Sequence, residues 1–212
     1  MVCYMKAEWV NRQLDVAGLL EKSSCFLLGP RQTGKTSLIQ RRLPSVLYYD
    51  LLDSATYLTM SRNPGRLAEE VGLSVKRVVI DEIQRLPGLL NDVQRLIELQ
   101  DVHFLLTGSS ARKLRRGGVN LLGGRARVKY LHPLTAMELG DRFDLNHALN
   151  RGLLPSIYFS DDPKADLTSY SGMYLQQEIM AEGATRNIPA FSRFLKMAAH
   201  NNGGIVNFTN IA

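Results

Sequence analysis

The chain has 212 residues, of which 45% are apolar and 22% charged, with 17 Gly, 8 Pro and 2 Cys. These proportions exclude a disordered or fibrous chain. No apolar run reaches the ~18 residues of a membrane span, and two cysteines exclude a disulfide framework or a four-ligand zinc site. The net charge of +6 is local: residues 111–130 hold seven basic side chains and no acid, which leaves nineteen basic against twenty acidic side chains elsewhere.

The start, from Met1 to Arg12, lacks the apolar stretch of a secretory signal, so a cytosolic, cytoplasmic location is expected. Residues 24–29 form a short apolar run ending in Gly29, which predicts a buried strand that holds Cys25 as a buried thiol. A helix is expected over 35–42, stopped before Pro44. A second strand follows over 46–51. Asn63-Pro64-Gly65 then breaks the chain before a short helix at 66–71. The third strand is expected over 75–81. Pro87 opens a helix whose Leu86, Leu89, Leu90, Val93, Leu96 and Ile97 make one apolar stripe. A fourth strand is expected over 102–107 and a weaker fifth over 128–131. Strands alternating with helices predict a parallel sheet covered on both faces. Asp161-Asp162-Pro163 marks a boundary. Two helices are expected beyond it, over 167–180 and 189–200, the second with Phe191, Phe194, Leu195 and Ala198 on one face.

Gly29-Pro30-Arg31-Gln32-Thr33-Gly34-Lys35-Thr36 fits G-x-x-x-x-G-K-[ST] in full, between a strand and a helix. Gly29 and Gly34 let successive backbone N–H groups point inward, and the helix adds its positive end. Lys35 is the cation for the β- and γ-phosphates, and Thr36 supplies a hydroxyl to Mg²⁺. Pro30, Arg31, Gln32, Thr33 and Ser37 complete the expected binding segment, with Arg31 either bracing the loop or touching nucleotide.

Val78-Val79-Ile80-Asp81-Glu82 is a strand ending in two carboxylates. Asp81 is expected to hold Mg²⁺ with Thr36, and Glu82 to polarise an attacking water. The alternative is a solvated Asp-Glu turn before a helix. A metal-holding Asp beside a Glu suits hydrolysis better than phosphotransfer to a small molecule.

Leu106-Thr107-Gly108-Ser109-Ser110 puts polar residues at the tip of the fourth strand. In the additional-strand class of phosphate-loop ATPases that tip lies beside the γ-phosphate. Ser109 is the expected sensor, with Thr107 and Ser110 as alternatives, and Ser109 or Ser110 also suits a helix N-cap. Gly123-Gly124-Arg125 offers Arg125 as a finger acting on a neighbouring subunit. The cluster Arg112, Lys113, Arg115 and Arg116 either binds DNA phosphates, binds an acidic protein partner, or is a solvated loop.

Together, the phosphate loop, Ile80-Asp81-Glu82-Ile83-Gln84, Leu106-Thr107-Gly108-Ser109-Ser110, Gly123-Gly124-Arg125 and Gly152-Leu153-Leu154-Pro155 resemble the prokaryotic AAA+-type P-loop ATPases that carry a C-terminal domain of unknown function. The resemblance implies an α/β fold with a five-stranded parallel sheet in the order 5-1-4-3-2, and ATP with Mg²⁺ as the ligands. It implies an ATP-binding domain over 1–160. Residues 161–212 would be a helical linker and the beginning of a winged-helix-like module in which the chain stops. The expected activity is ATP hydrolysis by a possible homo-oligomer. The rival is a nucleotide-gated DNA- or protein-binding switch with negligible turnover.

Overall fold

The computed structural model describes residues 9–63, 65–109, 114, 122–174, 179 and 187–204. Five strands, β1 (Ser24–Leu28), β2 (Leu47–Asp50), β3 (Arg77–Asp81), β4 (His103–Gly108) and β5 (Ala126–Tyr130), form one sheet in the order β2-β3-β4-β1-β5. Every pairing is parallel. This is the expected 5-1-4-3-2 order of a P-loop NTPase, read from the opposite edge.

Side-chain alternation on the strands builds two cores, one on each face. Phe26 and Leu28 of β1, Val78 and Ile80 of β3, and Phe104 and Leu106 of β4 face one cluster. It is closed by Met60 of α3 (Ser54–Arg62), Leu67 of α4 (Arg66–Glu70), and Leu89, Leu90, Val93 and Leu96 of α5 (Leu89–Gln100). Cys25 and Leu27, Val79 and Leu105 face the other cluster. Val16 and Leu20 of α1 (Val16–Lys22) and Leu38 and Ile39 of α2 (Lys35–Arg42) close that one. Each such side chain is worth about 1.5–3 kcal/mol in removing apolar surface from water.

Helix α1 was not among the sequence expectations, although its N-cap signal is present: Asp15 Oδ1 accepts from the Gly18 N–H at 3.1 Å. Helix α5 starts at Leu89 rather than Pro87, because Gly88 takes the N-cap position. Strand β5 begins at Ala126 because it pairs along the whole of β1, Ser24 opposite Ala126 through Leu28 opposite Tyr130.

After β5 the chain forms α6 (Ala136–Leu139), α7 (Leu145–Arg151) and α8 (Pro155–Tyr158). Helix α6 is opened by a capping box in which Thr135 and Glu138 satisfy each other's backbone N–H groups. A third cluster joins Val10, Leu134, Leu139 and Tyr158.

The chain divides into two compact units, residues 1–159 and 160–212. In the second unit the described helices are α9 (Pro163–Tyr174) and α10 (Ile188–His200). Asn187 caps α10 by accepting from the Ala190 N–H at 2.9 Å, and the Phe191 and Phe194 rings meet at a tilt, 5.9 Å between centroids. The rest of the helix expected over 167–180, except Ile179, and the 205–212 end of the expected winged-helix start lie outside the described residues.

Candidate functional site

The parallel sheet brings the carboxyl ends of β1, β3 and β4 to one edge, where the loop after β1 curls back over the sheet. A Cβ on Gly29 would overlap the carbonyl oxygen of Leu131, so the close approach of the chain after β5 requires glycine there. Gln32 (φ 63°) and Gly34 (φ 88°) turn the loop left-handedly, and Gly34 is the N-cap of α2. Thr33 Oγ1 donates to the Pro30 carbonyl at 2.9 Å. The buried Lys35 donates from Nζ to the carbonyls of Gly29 at 2.8 Å and Pro30 at 3.0 Å. Its ammonium is therefore held inside the curl, while Thr36 and Ser37 are exposed at the helix start.

Asp81 is the hub. It follows Val79 by two residues, so it shares the sheet face on which α2 lies. Thr36 Oγ1 and the Tyr48 hydroxyl both donate to Asp81 Oδ2, at 2.7 and 2.6 Å. Thr107 Oγ1 donates to Oδ1. The carboxylate is 1% exposed and takes three hydroxyl donors, which fixes its orientation. Burial, and then the hydrogen bond to Asp81, pushes the Tyr48 hydroxyl far above the usual phenol range, so it remains a donor. Thr36 and Asp81 thus supply two hard oxygens converging on one point, a donor pair that fits Mg²⁺ completed by phosphate oxygens and water. Among the described residues no group of three or more His, Cys, Asp or Glu forms a separate metal cage.

Glu82 stands just past β3 with left-handed backbone (φ 59°, ψ 44°). An L-residue there costs about 1–2 kcal/mol, and two contacts oppose that cost. The Glu82 N–H donates to Thr107 Oγ1 at 3.0 Å, and the next residue, Ile83, is fully buried. Its carboxylate accepts from Gln84 Nε2. Strand β4 lies between β1 and β3, so the strand tip carrying Thr107 and Ser109 separates loop from acid. Thr107 is wholly buried and spent on Asp81 and Glu82, whereas Ser109 is partly exposed beyond the strand end.

Arg125 pairs with Glu98 of α5 at 2.7 Å, both about two-fifths exposed. Arg31 is partly exposed on the loop turn. Ser110 and the cluster Arg112, Lys113, Arg115 and Arg116 lie outside the described residues.

Several contributors escaped the sequence reading. Arg12, 7% exposed, donates to the Thr33 carbonyl (2.7 Å), the His132 carbonyl (2.6 Å) and Glu138 Oε1 (2.9 Å). Ser156 of α8 donates to Gln32 Oε1 at 2.9 Å. The loop is thus braced from outside by segments far away in sequence. A cleft of about 250 Å³ opens beside it, bounded by Trp9, Val10, Gly34, Ser37, Arg41 and Leu134, with the Arg41 guanidinium 4.4 Å from the Trp9 ring centre. Tyr48 had a signal, a polar-tipped aromatic near the end of a strand, but only strand order makes it a neighbour of Asp81. Arg12 had none.

A family model described as AAA domain matches residues 21–140, and a second, Domain of unknown function (DUF8612), matches residues 142–212. The two meet inside the first compact unit, since the helices after residue 142 pack on the third cluster with Val10. No curated protein matches the chain. Among solved structures, replication initiator DnaA bound to AMPPCP and single-stranded DNA is similar over 91% of this chain and 69% of its own, at 16% identity and TM-score 0.49. Domain III of Thermotoga maritima DnaA is similar over 86% and 79%, at 14% identity and TM-score 0.34. Drosophila ORC bound to DNA is similar over 82% and 56%, at 15% identity and TM-score 0.40.

Proposed function

The chain belongs to the AAA domain family, and from that premise we propose that it binds ATP with Mg²⁺ and hydrolyses it. The observation that carries this reading is the 2.7 Å contact between Thr36 Oγ1 and Asp81 Oδ2, directly beside the curl that holds Lys35. Lys35 and the loop amides bind the phosphates, the lysine exchanging loop carbonyls for phosphate oxygens. Thr36 and Asp81 hold the metal, which when bound neutralises charge on the β- and γ-phosphate oxygens. Glu82 accepts a proton from the attacking water, and Ser109 senses the γ-phosphate. The cleft at Trp9 takes the nucleobase and ribose, offering an aromatic face and apolar walls.

Arg125 acts on a neighbouring copy of this chain once its pair with Glu98 opens, and the basic cluster around Arg112 and Arg116 contacts DNA or an acidic protein. Residues 1–160 are the nucleotide-binding domain, and 161–212 lead into a winged-helix-like module.

The test is phosphate release with Mg·ATP across protein concentration, with Glu82→Gln as the comparison. Wild type is expected to turn over, with a rate per subunit that rises with concentration. Glu82→Gln should retain nucleotide and lose about 10²–10⁴ in kcat. Binding without turnover in both proteins would favour the switch, and absence of nucleotide binding would end both readings.

A further inference from the structure

Residues Glu82 and Gln84 are two apart, a spacing at which side chains in a helical turn do not face each other. They meet here because Glu82 is left-handed and the chain then closes into a short helical turn over Ile83–Arg85. That turn is rigid: Ile83 is fully buried, and Arg85 donates to the Leu51 carbonyl at 2.8 Å. The Gln84 amide reaches across to the tip of β4. An ideal Cβ on Gly108 would lie 2.6 Å from Gln84 Oε1 and 3.4 Å from its Cδ, so the amide occupies the space that a side chain at 108 would fill. Gly108 has no positive φ, and its other neighbour, Leu28, stands at an ordinary 3.6 Å from that position. Backbone conformation therefore does not require glycine there, and the seat of the Gln84 amide does. Gln84 Oε1 is buried and without a hydrogen-bond partner among the described residues. Among the described residues, the hydrogen bond of the Gln84 amide is the one it gives to the Glu82 carboxylate.

We infer that Gln84, seated over Gly108, is the positioning residue that aims the Glu82 carboxylate. The inference rests on the hydrolytic reading above. Thr107 fixes the Glu82 backbone, and Gln84 fixes its side chain. The same strand tip, β4, thus sets both ends of the base by a hydroxyl at 107 and a missing side chain at 108. A base restricted in this way loses little entropy when it takes a proton, which is what orientation contributes to a chemical step.

The experiment compares Gln84→Met, which keeps length and removes the donor, with Gly108→Ala, which displaces the amide, and with the double variant. Each single variant is expected to lower kcat about tenfold with nucleotide affinity within about twofold of wild type. The double variant should be no slower than either, because both remove one contact. Independently of turnover, the Gln84 side-chain amide resonances should shift in Glu82→Gln and in Gly108→Ala. A Gly108→Ala protein as fast as wild type, or a double variant slowed by the product of the single effects, overturns the assignment. So does an amide signal indifferent to Glu82→Gln. A wild type that binds Mg·ATP without turnover overturns the hydrolytic reading, and this assignment with it. Normal turnover with an unmoved amide signal overturns this assignment alone.

Discussion

Lys35, Asp81 and Tyr48 each owe their role to what surrounds a single polar group. Replacing Lys35 by Ala removes a charged donor worth about 1.5–3 kcal/mol, so nucleotide affinity should fall about 10–100-fold. Equilibrium titration with a fluorescent ATP analogue reads that loss. Tyr48→Phe deletes one of the three donors on Asp81. A hydrogen bond to a charged carboxylate is worth about 1.5–3 kcal/mol. Nucleotide affinity measured against Mg²⁺ concentration should therefore require about 10–100-fold more metal. Cys25 gives a pH signature. Burial pushes its thiol from the ordinary 9.0 up to about 11, against the pull of Lys129 and Arg127. A raised folded value means stability fully present below pH 9.0 and lost as pH rises toward about 11. Urea midpoints of wild type should fall across that window more steeply than those of Cys25→Ala, and parallel curves would refute it.

Strand β4 serves both cores and the site. Phe104 and Leu106 face one core, Leu105 the other, and Thr107 and Gly108 the site. Phe104→Ala should cost about 3–5 kcal/mol in chemical unfolding. The strands were legible because alternation and continuous apolar runs follow from burial on one or both faces. The short helices α6 to α8 were not: four to seven residues give too few turns for a periodic signal. The Arg12–Glu138 pair ties one of these helices, α6, to the segment before α1, with both side chains 5% exposed. Burial raises the Glu138 carboxyl, but Arg12 and the Gln13 and Thr135 N–H groups outweigh it and hold it below the usual range. Stability contributed by Glu138 is thus present at neutral pH and lost as pH falls through that depressed value. Glu138→Ala would leave Arg12 buried and unpaired, a loss of about 3–5 kcal/mol in unfolding. Because Arg12 also holds the Thr33 carbonyl, the same variant should weaken nucleotide binding, read in the same titration as Lys35→Ala.

The three apolar clusters all lie in residues 1–159. That stretch made alone should therefore unfold cooperatively and keep the nucleotide affinity of the whole chain. Non-cooperative melting would show that residues 160–212 complete the fold. Sequence alone determined the layered α/β plan, the phosphate loop and the acid-ended strand. Those are local matters: periodic burial and the need for glycine, lysine and hydroxyl in one short turn are written in consecutive residues. Tertiary structure alone decided that Tyr48 and Thr107 grip Asp81, that Arg12 and Ser156 brace the loop, and that Gln84 rests over Gly108. These contacts join residues 21 to 124 positions apart, apart from the Gln84 amide on Glu82, which needs a left-handed turn. Strand order and backbone hand set such meetings, and no local pattern encodes them.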